Sequence, residues 1–483
     1  MDSDGRPDEL HAPNLSKNEL QNVKRATEHV NLATTFVDET SFQVANFLVP
    51  ISRLPPEVLA IIFEANQPGQ DDFANWESHH RLNDQYYELP PIIIASHVNR
   101  HFRAVAIHTP RFWSNVYFTL AMPLGLLDAF LERSAPCSLN IWLRDIASDL
   151  VNVTMEDVLE KIIPHSARWH LFIAVIYNFG FLTPLLLSFR GLHWHAPRLK
   201  VLKLGQWHDR GITLGGFRIP DSFLYTPSLH VLELNRISVY DCWPSMVALT
   251  DLTLESRAKI TYEHLAQALA EAPLLEFLNF HSGIILPEPG GSVSTIHMPC
   301  LLHLQESIAP KNFGRNPNIY SFIIAPQLLS LCVSPSWERS ESLTTLFLDF
   351  IRKHGRTRYP ALFTLSLLGL DCSQSIDSNF IHAMPLISSV CLTGLAEDAV
   401  VRFLSEKDTD PEAPFWPCLS SLEIATLDIE VLCEFISHRT TIGRPLKLLK
   451  LISGRDSLQI PSDRMEWLKE RVEVRGLGLG LEH

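Results

Sequence analysis

A short phrase recurs along this chain: a proline, then leucines at its third, sixth and eighth positions. It is clearest at residues 197–204 (PRLKVLKL) and 227–234 (PSLHVLEL). It returns at 273–280 (PLLEFLNF), 326–333 (PQLLSLCV) and 360–367 (PALFTLSL), and weaker copies start near Val247, Pro299, Pro385, Pro417 and Pro445. The anchors Leu199, Leu229, Leu249, Leu275, Leu301, Leu328, Leu362, Ile387 and Leu419 stand 20 to 34 residues apart. The last two leucines of each phrase alternate on one face of a short strand, and the first turns inward just before it. One such strand cannot bury its apolar face alone. Stacked neighbours can, so the pattern demands an array.

Each phrase is followed by residues that can carry the chain back. Residues 262–272 (YEHLAQALAEA) read as a helix, with Leu265 and Leu269 four apart. Similar legs are expected over 342–354, 399–407 and 429–438. The spacing and the phrase resemble leucine-rich repeats. The resemblance implies parallel strands on the inside of a curved solenoid and helices outside. The asparagine usual after the strand is mostly missing, with Asn235 a rare candidate, and Phe280 and Ile424 replace leucines, so irregular repeats are expected. Residues 139–143 and 169–173 read as its first turns. Residues 462–474 (SDRMEWLKERVEV) read as a terminal helix covering the last unit, and GLGLGLEH as a fraying tail.

The N-terminal part is built differently. Residues 50–66 (PISRLPPEVLAIIFEAN) place a double proline and an acid before an apolar run. Pro56 suits a first helical turn, where its missing N–H is no loss, and Glu57 faces the positive end of the helix dipole. Leu59, Ile62 and Phe63 share one face. Residues 96–106 (SHVNRHFRAVA) read as a second, amphipathic helix that stops near Thr109-Pro110. This stretch resembles an F-box of the kind found in mushroom-forming fungi, carried by Leu54, Pro55, Pro56, Glu57, Ile62 and Phe63, then Ser96, His97, Val98, Arg100, Phe102 and Arg103, then Thr109, Pro110 and Trp113. Two departures stand out: Asn99 and Phe102 occupy positions where the family usually has Cys and Trp, and residues 67–91 form an insertion. The fold class expected is therefore α/β: an all-helical F-box at 48–118, then an irregular leucine-rich-repeat solenoid over 119–475. A leader at 1–47 and a flexible tail at 476–483 flank them. Within the leader, residues 16–35 are either a lone helix or flexible chain.

Charge narrows the function classes. With 40 basic against 54 acidic residues and a formal charge of −14, the chain lacks the basic stripe that nucleic-acid binding requires. Its eight cysteines, at 137, 242, 300, 332, 372, 391, 418 and 433, form no CxxC pair. Together with the polar start MDSDGRPDEL they read as reduced thiols of a cytoplasmic or nuclear protein. The uncharged residues 171–189 (LFIAVIYNFGFLTPLLLSF) approach the length of a membrane span, but Asn178, Gly180 and Pro184 interrupt them. A buried strand, a turn and a short helix fit better. Glu77, His79 and His80 read as a solvated loop, as do His193-Trp194-His195, and neither group has a standard metal spacing. No cofactor is expected.

No phosphate loop, HExxH or nucleophile elbow is present, and no catalytic residue is assigned. The resemblance implies a substrate-recognition subunit of a Skp–cullin–F-box ubiquitin ligase. Its partners would be a Skp-type adaptor, through it a cullin, and a protein target. The adaptor-facing candidates are Leu54, Pro55, Glu57, Val58, Leu59, Ile62, Phe63, Val98 and Phe102. Candidates for holding a target are Lys200, Lys203, His230, Glu233, Glu276 and Asn279, polar residues that alternate with the leucines. Two alternatives stay open: these six are merely solvated, and the chain is a ligase-independent protein-binding scaffold.

Overall fold

Pro55 and Pro90 set the first two helices, each by fixing an extended residue just before a helical turn that starts on a second proline. In the computed structural model Pro55 has φ −52° and ψ 148°, and the helix Pro56–Ala65 follows it. Pro90 repeats this before the helix Pro91–Val98. The structure describes residues 50–66, 90–144, 153–176, 195–206, 226–235, 243–255, 260–281, 284–285, 294–308, 319–335, 341–368, 378–393, 416–424, 429–452 and 460–477. The leader, nearly all of the 67–91 insertion, the leg at 399–407 and the histidines at 79, 80 and 193 lie outside them. The chain divides into two compact units, Met1–His79 with Gln85–Phe112, and His80–Asp84 with Trp113–His483.

In the first unit, the single helix expected over 96–106 is two. Asn99 is extended, at φ −158° and ψ 175°, between the helices Pro91–Val98 and Arg100–Ile107. Its Oδ1 accepts a hydrogen bond from the Phe102 N–H at 2.7 Å, and its Nδ2 donates to Ser52 Oγ at 3.2 Å. A side chain that competes this well with the backbone ends one helix and starts the next. His101 Nε2 lies 3.1 Å from the Leu54 carbonyl oxygen, and Arg103 Nε donates to the Ser96 carbonyl at 2.9 Å. Leu59, Ile92, Phe102, Val105 and Phe112 form the buried centre. Phe63 meets Phe102 and Phe112 edge-on, with ring centroids 5.2 and 6.1 Å apart.

The second unit is organised by one sheet. In order along the chain its strands are β1 (Asn115–Thr119), β2 (Leu139–Arg144), β3 (Trp169–Ile176), β4 (Val201–Gln206), β5 (Val231–Asn235) and β6 (Asp251–Glu255). There follow β7 (Ile260–Thr261), β8 (Phe277–His281), β9 (Ile284–Ile285), β10 (Ile296–His297), β11 (His303–Ile308) and β12 (Ile323–Ile324). The remainder are β13 (Ser330–Pro335), β14 (Thr364–Leu368), β15 (Ser389–Thr393), β16 (Ser421–Ile424), β17 (Leu448–Ile452) and β18 (Glu473–Leu477). Among the described residues, 14 strands join in chain order into one sheet, while β7 pairs with β9 and β10 with β12. Every pairing is parallel. Parallel neighbours need a crossover between them. Helices Leu124–Arg133, Met155–Ile162, Tyr262–Ala270, Glu341–Arg358, Ile429–Thr441 and Ser462–Lys469 lie in those crossovers.

The register explains the phrase. Ile141, Phe172, Leu202, Leu232, Leu252, Leu278, Leu304, Leu331, Leu365, Val390, Leu422 and Leu449 stand in one row across the sheet, and all are buried. The last leucine of each phrase makes a second row, and the anchors from Leu199 to Leu419 are buried as a third. Just past each anchor a backbone seam runs from unit to unit. Lys200 N donates to the His170 carbonyl, His230 N to Lys200, Thr250 N to His230, Glu276 N to Thr250 and Leu302 N to Glu276, each at 2.8–2.9 Å.

Three expected boundaries move. Val116 and Phe118 alternate inward and pair with Ile141 and Leu143, so residues 115–118 are the sheet's first strand and no part of the N-terminal unit. Trp113 also belongs to the second unit: it is buried, edge-on to Phe130 at 5.1 Å, with the Arg133 guanidinium 4.4 Å over its ring. At the other end, residues 462–474 are not one helix. The helix stops at Lys469, and β18 pairs Val474 with Leu449 and Leu477 with Ile452, because β17 otherwise leaves a row of backbone groups unpaired. Residues 476 and 477 of the expected tail are therefore strand. Of residues 171–189, the part up to Ile176 is β3. No helix among the described residues is long and apolar enough to cross a membrane.

Candidate functional site

The first unit carries more exposed hydrocarbon than so small a body needs. Ile51, Val58, Ile61, Ile94, Val98 and Ile107 are all exposed, Ile61 by 65%. Scattered exposed aliphatics are ordinary; here six lie on three short helices and one turn of a single small unit. Of the adaptor-facing candidates, Pro55, Glu57, Val58 and Val98 point to solvent, and Leu54, Ile62 and Phe63 are half-buried. Leu59 and Phe102 are corrected: both are buried, and they hold the helices together instead of facing a partner. Val58 and Ile61, three apart, and Ile94 and Val98, four apart, are exposed apolar pairs whose spacing was readable.

On the sheet, three of the six target-holding candidates, Lys203, Glu233 and Asn279, alternate with the buried leucines and sit on the opposite face. Lys200, His230 and Glu276 follow the anchors and are exposed; Lys203, Glu233 and Asn279 are half-buried within strands. Register brings Lys203 against Glu233, and Lys203 Nζ lies 2.9 Å from Glu233 Oε2. Each charge is answered by the other, so this pair offers a partner little net field, and a half-buried pair still reached by solvent contributes about 1 kcal/mol or less. Asn279 Oδ1 is buried without a hydrogen bond. A similar pair closes the far end of the same row, Lys450 Nζ to Glu423 Oε2 at 3.3 Å.

Between these pairs the row runs Thr253, Asn279, Gln305, Cys332, Ser366 and Cys391. Burial disfavours the thiolate form of both cysteines. Burial pushes Cys332 up to about 11, and burial with the neighbouring Glu423 carboxylate pushes Cys391 higher still. Among the described residues no three His, Cys, Asp or Glu side chains are grouped to hold a metal ion.

Two buried ionisable groups escaped the sequence reading. Glu306 stands in the second leucine row, where it accepts hydrogen bonds from the Ile319 and Tyr320 N–H groups at 2.9 and 3.3 Å. Burial pushes its carboxyl up to about 8, against the pull of those two donors. Arg439 is buried on the helix Ile429–Thr441, and its guanidinium donates to the carbonyls of Arg444 at 3.0 Å and Leu419 at 3.0 Å. Both fasten a crossover to the sheet. The chain matches no protein-family model and no curated protein.

Proposed function

We propose that this chain is a substrate-recognition subunit of a Skp–cullin–F-box type ubiquitin ligase, working in the cytoplasm or nucleus. Its first unit docks on a Skp-type adaptor and, through it, on a cullin. Its second unit holds a protein target, and the chain itself does no chemistry. Its contribution is proximity, which makes transfer of ubiquitin to the held target nearly intramolecular. The observation that carries this reading is the set of exposed aliphatic side chains on the first unit, Val58 and Ile61 with Ile94 and Val98, whose burial needs a partner. The resemblance of residues 54–63 and 96–113 to an F-box names that partner.

The test uses the full chain and the Skp-type adaptor of the same organism. Wild-type protein should bind the adaptor by calorimetry. Replacing Val58 and Ile61 together with glutamate should weaken binding at least tenfold without shifting the thermal melt, since both side chains are exposed. Leu54→Ala with Pro55→Ala should also weaken it. Absence of binding by the wild type would overturn the ligase reading and leave a scaffold that binds proteins through its sheet.

A further inference from the structure

The face opposite the leucines is not uniform. Over four consecutive strands of the sheet, β11, β13, β14 and β15, its outward strand positions are His303 and Gln305, Ser330 and Cys332, Thr364 and Ser366, Ser389 and Cys391. None is Asp, Glu, Lys or Arg, in a chain where 19% of residues are. Charge returns on both sides: Asp251, Lys203 and Glu233 towards β4, and Glu423, Lys450 and the Glu473–Arg475 pair towards β18.

The residues just past the anchors change in the same place. Along the backbone seam Lys200, His230, Thr250 and Glu276 give way to Leu302, Leu329 and Phe363, then to Ser388. Leu329 N donates to the Leu302 carbonyl at 2.8 Å and Phe363 N to the Leu329 carbonyl at 2.9 Å, so the three sit side by side just before adjacent strands. Leu329 is 43% exposed and Phe363 52%. Adjacent strands are spaced by about 4.8 Å, so the line is roughly 10 Å long, the reach of about three extended residues. At the other end of β11 and β13, the Ser307 and Ser334 hydroxyls bond each other at 2.6 Å, which leaves that border polar but satisfied.

We infer that β11, β13, β14 and β15 form the target-holding section of the sheet, and that its occupant is an uncharged, apolar stretch of a partner protein lying along Leu302, Leu329 and Phe363. This deepens the proposed recruiting role of the second unit and rests on it. The chemistry selects the occupant by charge. A charged side chain laid on this section would lose its water and meet no counter-charge, whereas a Leu, Val or Phe would cover hydrocarbon that water now touches. The amide, hydroxyl and thiol groups of Gln305, Ser366 and Cys332 can bond a peptide backbone without demanding charge in return. The flanking ion pairs exclude little and attract little, because each is internally neutral.

The experiment selects a phage-displayed random dodecapeptide library on immobilised full-length protein and measures the enriched peptides by fluorescence polarisation. Enriched peptides should share an uncharged run of at least three residues with apolar side chains. Phe363→Glu and, separately, Leu329→Lys should each weaken their binding tenfold or more with an unchanged thermal melt, while Lys161→Glu, on a crossover helix, should leave it within twofold. Lack of enrichment, enrichment of charged cores, or equal binding by the Phe363→Glu protein would overturn the inference. So would a loss seen only on reversing Lys203 and Glu233, which would move the site to the charged end. Sedimentation showing self-association that Phe363→Glu abolishes would overturn it in favour of a second copy. Adaptor binding, measured on the same variants, should not change; if the adaptor fails to bind wild-type protein while peptides still do, the ligase reading falls and this one stands.

Discussion

Glu306 on β11 stands in register opposite Phe280 on β8, a carboxyl group set into a row that is otherwise hydrocarbon from Phe118 to Leu451. The strand positions around it are ordinary; the cost is in the burial. Two backbone N–H groups satisfy its oxygens without supplying a full counter-charge, which is why its carboxyl is pushed up to about 8 from the usual 4.5.

Stability should therefore fall as pH rises through this range. The unfolded chain releases the Glu306 proton near 4.5 while the folded chain keeps it to about 8, so the unfolded state gains between those values and the loss then levels off. The effect is on the order of a few kcal/mol. Glu306→Gln should flatten the dependence. Urea midpoints at pH 5, 7 and 9 measure it: a wild-type curve as flat as that of the glutamine variant would contradict the assignment.

Leu232 and Glu233 are adjacent in sequence and opposite in consequence. Leu232→Ala empties a fully buried place in the longest apolar row and should cost roughly 2–5 kcal/mol. Glu233→Ala removes one half of a half-buried, solvent-reached pair with Lys203 and should cost about 1 kcal/mol or less. Equilibrium unfolding of the two variants decides it, and similar losses would mean that the row is not shared between neighbouring strands.

Asn99→Ala should cost about 1 kcal/mol, and up to about 2, by deleting a helix cap together with the bond to Ser52. Asn99→Asp keeps an acceptor for Phe102 N and should recover most of that. Hydrogen exchange at the Phe102 amide distinguishes a lost cap, which speeds exchange locally, from general destabilisation, which would raise exchange across the whole first unit.

The strands around Leu202, Leu232 and Leu365 were legible because one physical demand, an apolar stripe shared between stacked units, repeats with little local competition. The two ends were harder. Val116 and Phe118 alternate like any strand but follow a helical stretch whose pattern claimed them. Val474 belongs to a strand with one neighbour among the described residues, and Glu473 and Arg475 around it are exposed, so the run reads as helix. Leu59 and Phe102 were misplaced because an apolar residue on a small helical unit reads the same whether it faces the core or a partner. Glu306 and Arg439 could not be read at all: their partners, Ile319 and Leu419, are 13 and 20 residues away, and local pattern carries no trace of such a bond.

The backbone seam past the anchors has a consequence for how such a chain can vary over generations. It fixes each strand against its neighbour through main-chain atoms, which every amino acid but proline supplies, and leaves the length of the intervening segment unconstrained. Anchors 229 and 249 are 20 residues apart, and 328 and 362 are 34 apart, yet Thr250 and Phe363 make the same bond to the unit before. Loop-closure entropy rises so slowly that the longer segment costs less than about 0.6 kcal/mol more than the shorter. Insertions and deletions between strands are thus nearly neutral for folding, and related chains can diverge in length there while the seam keeps every strand in place.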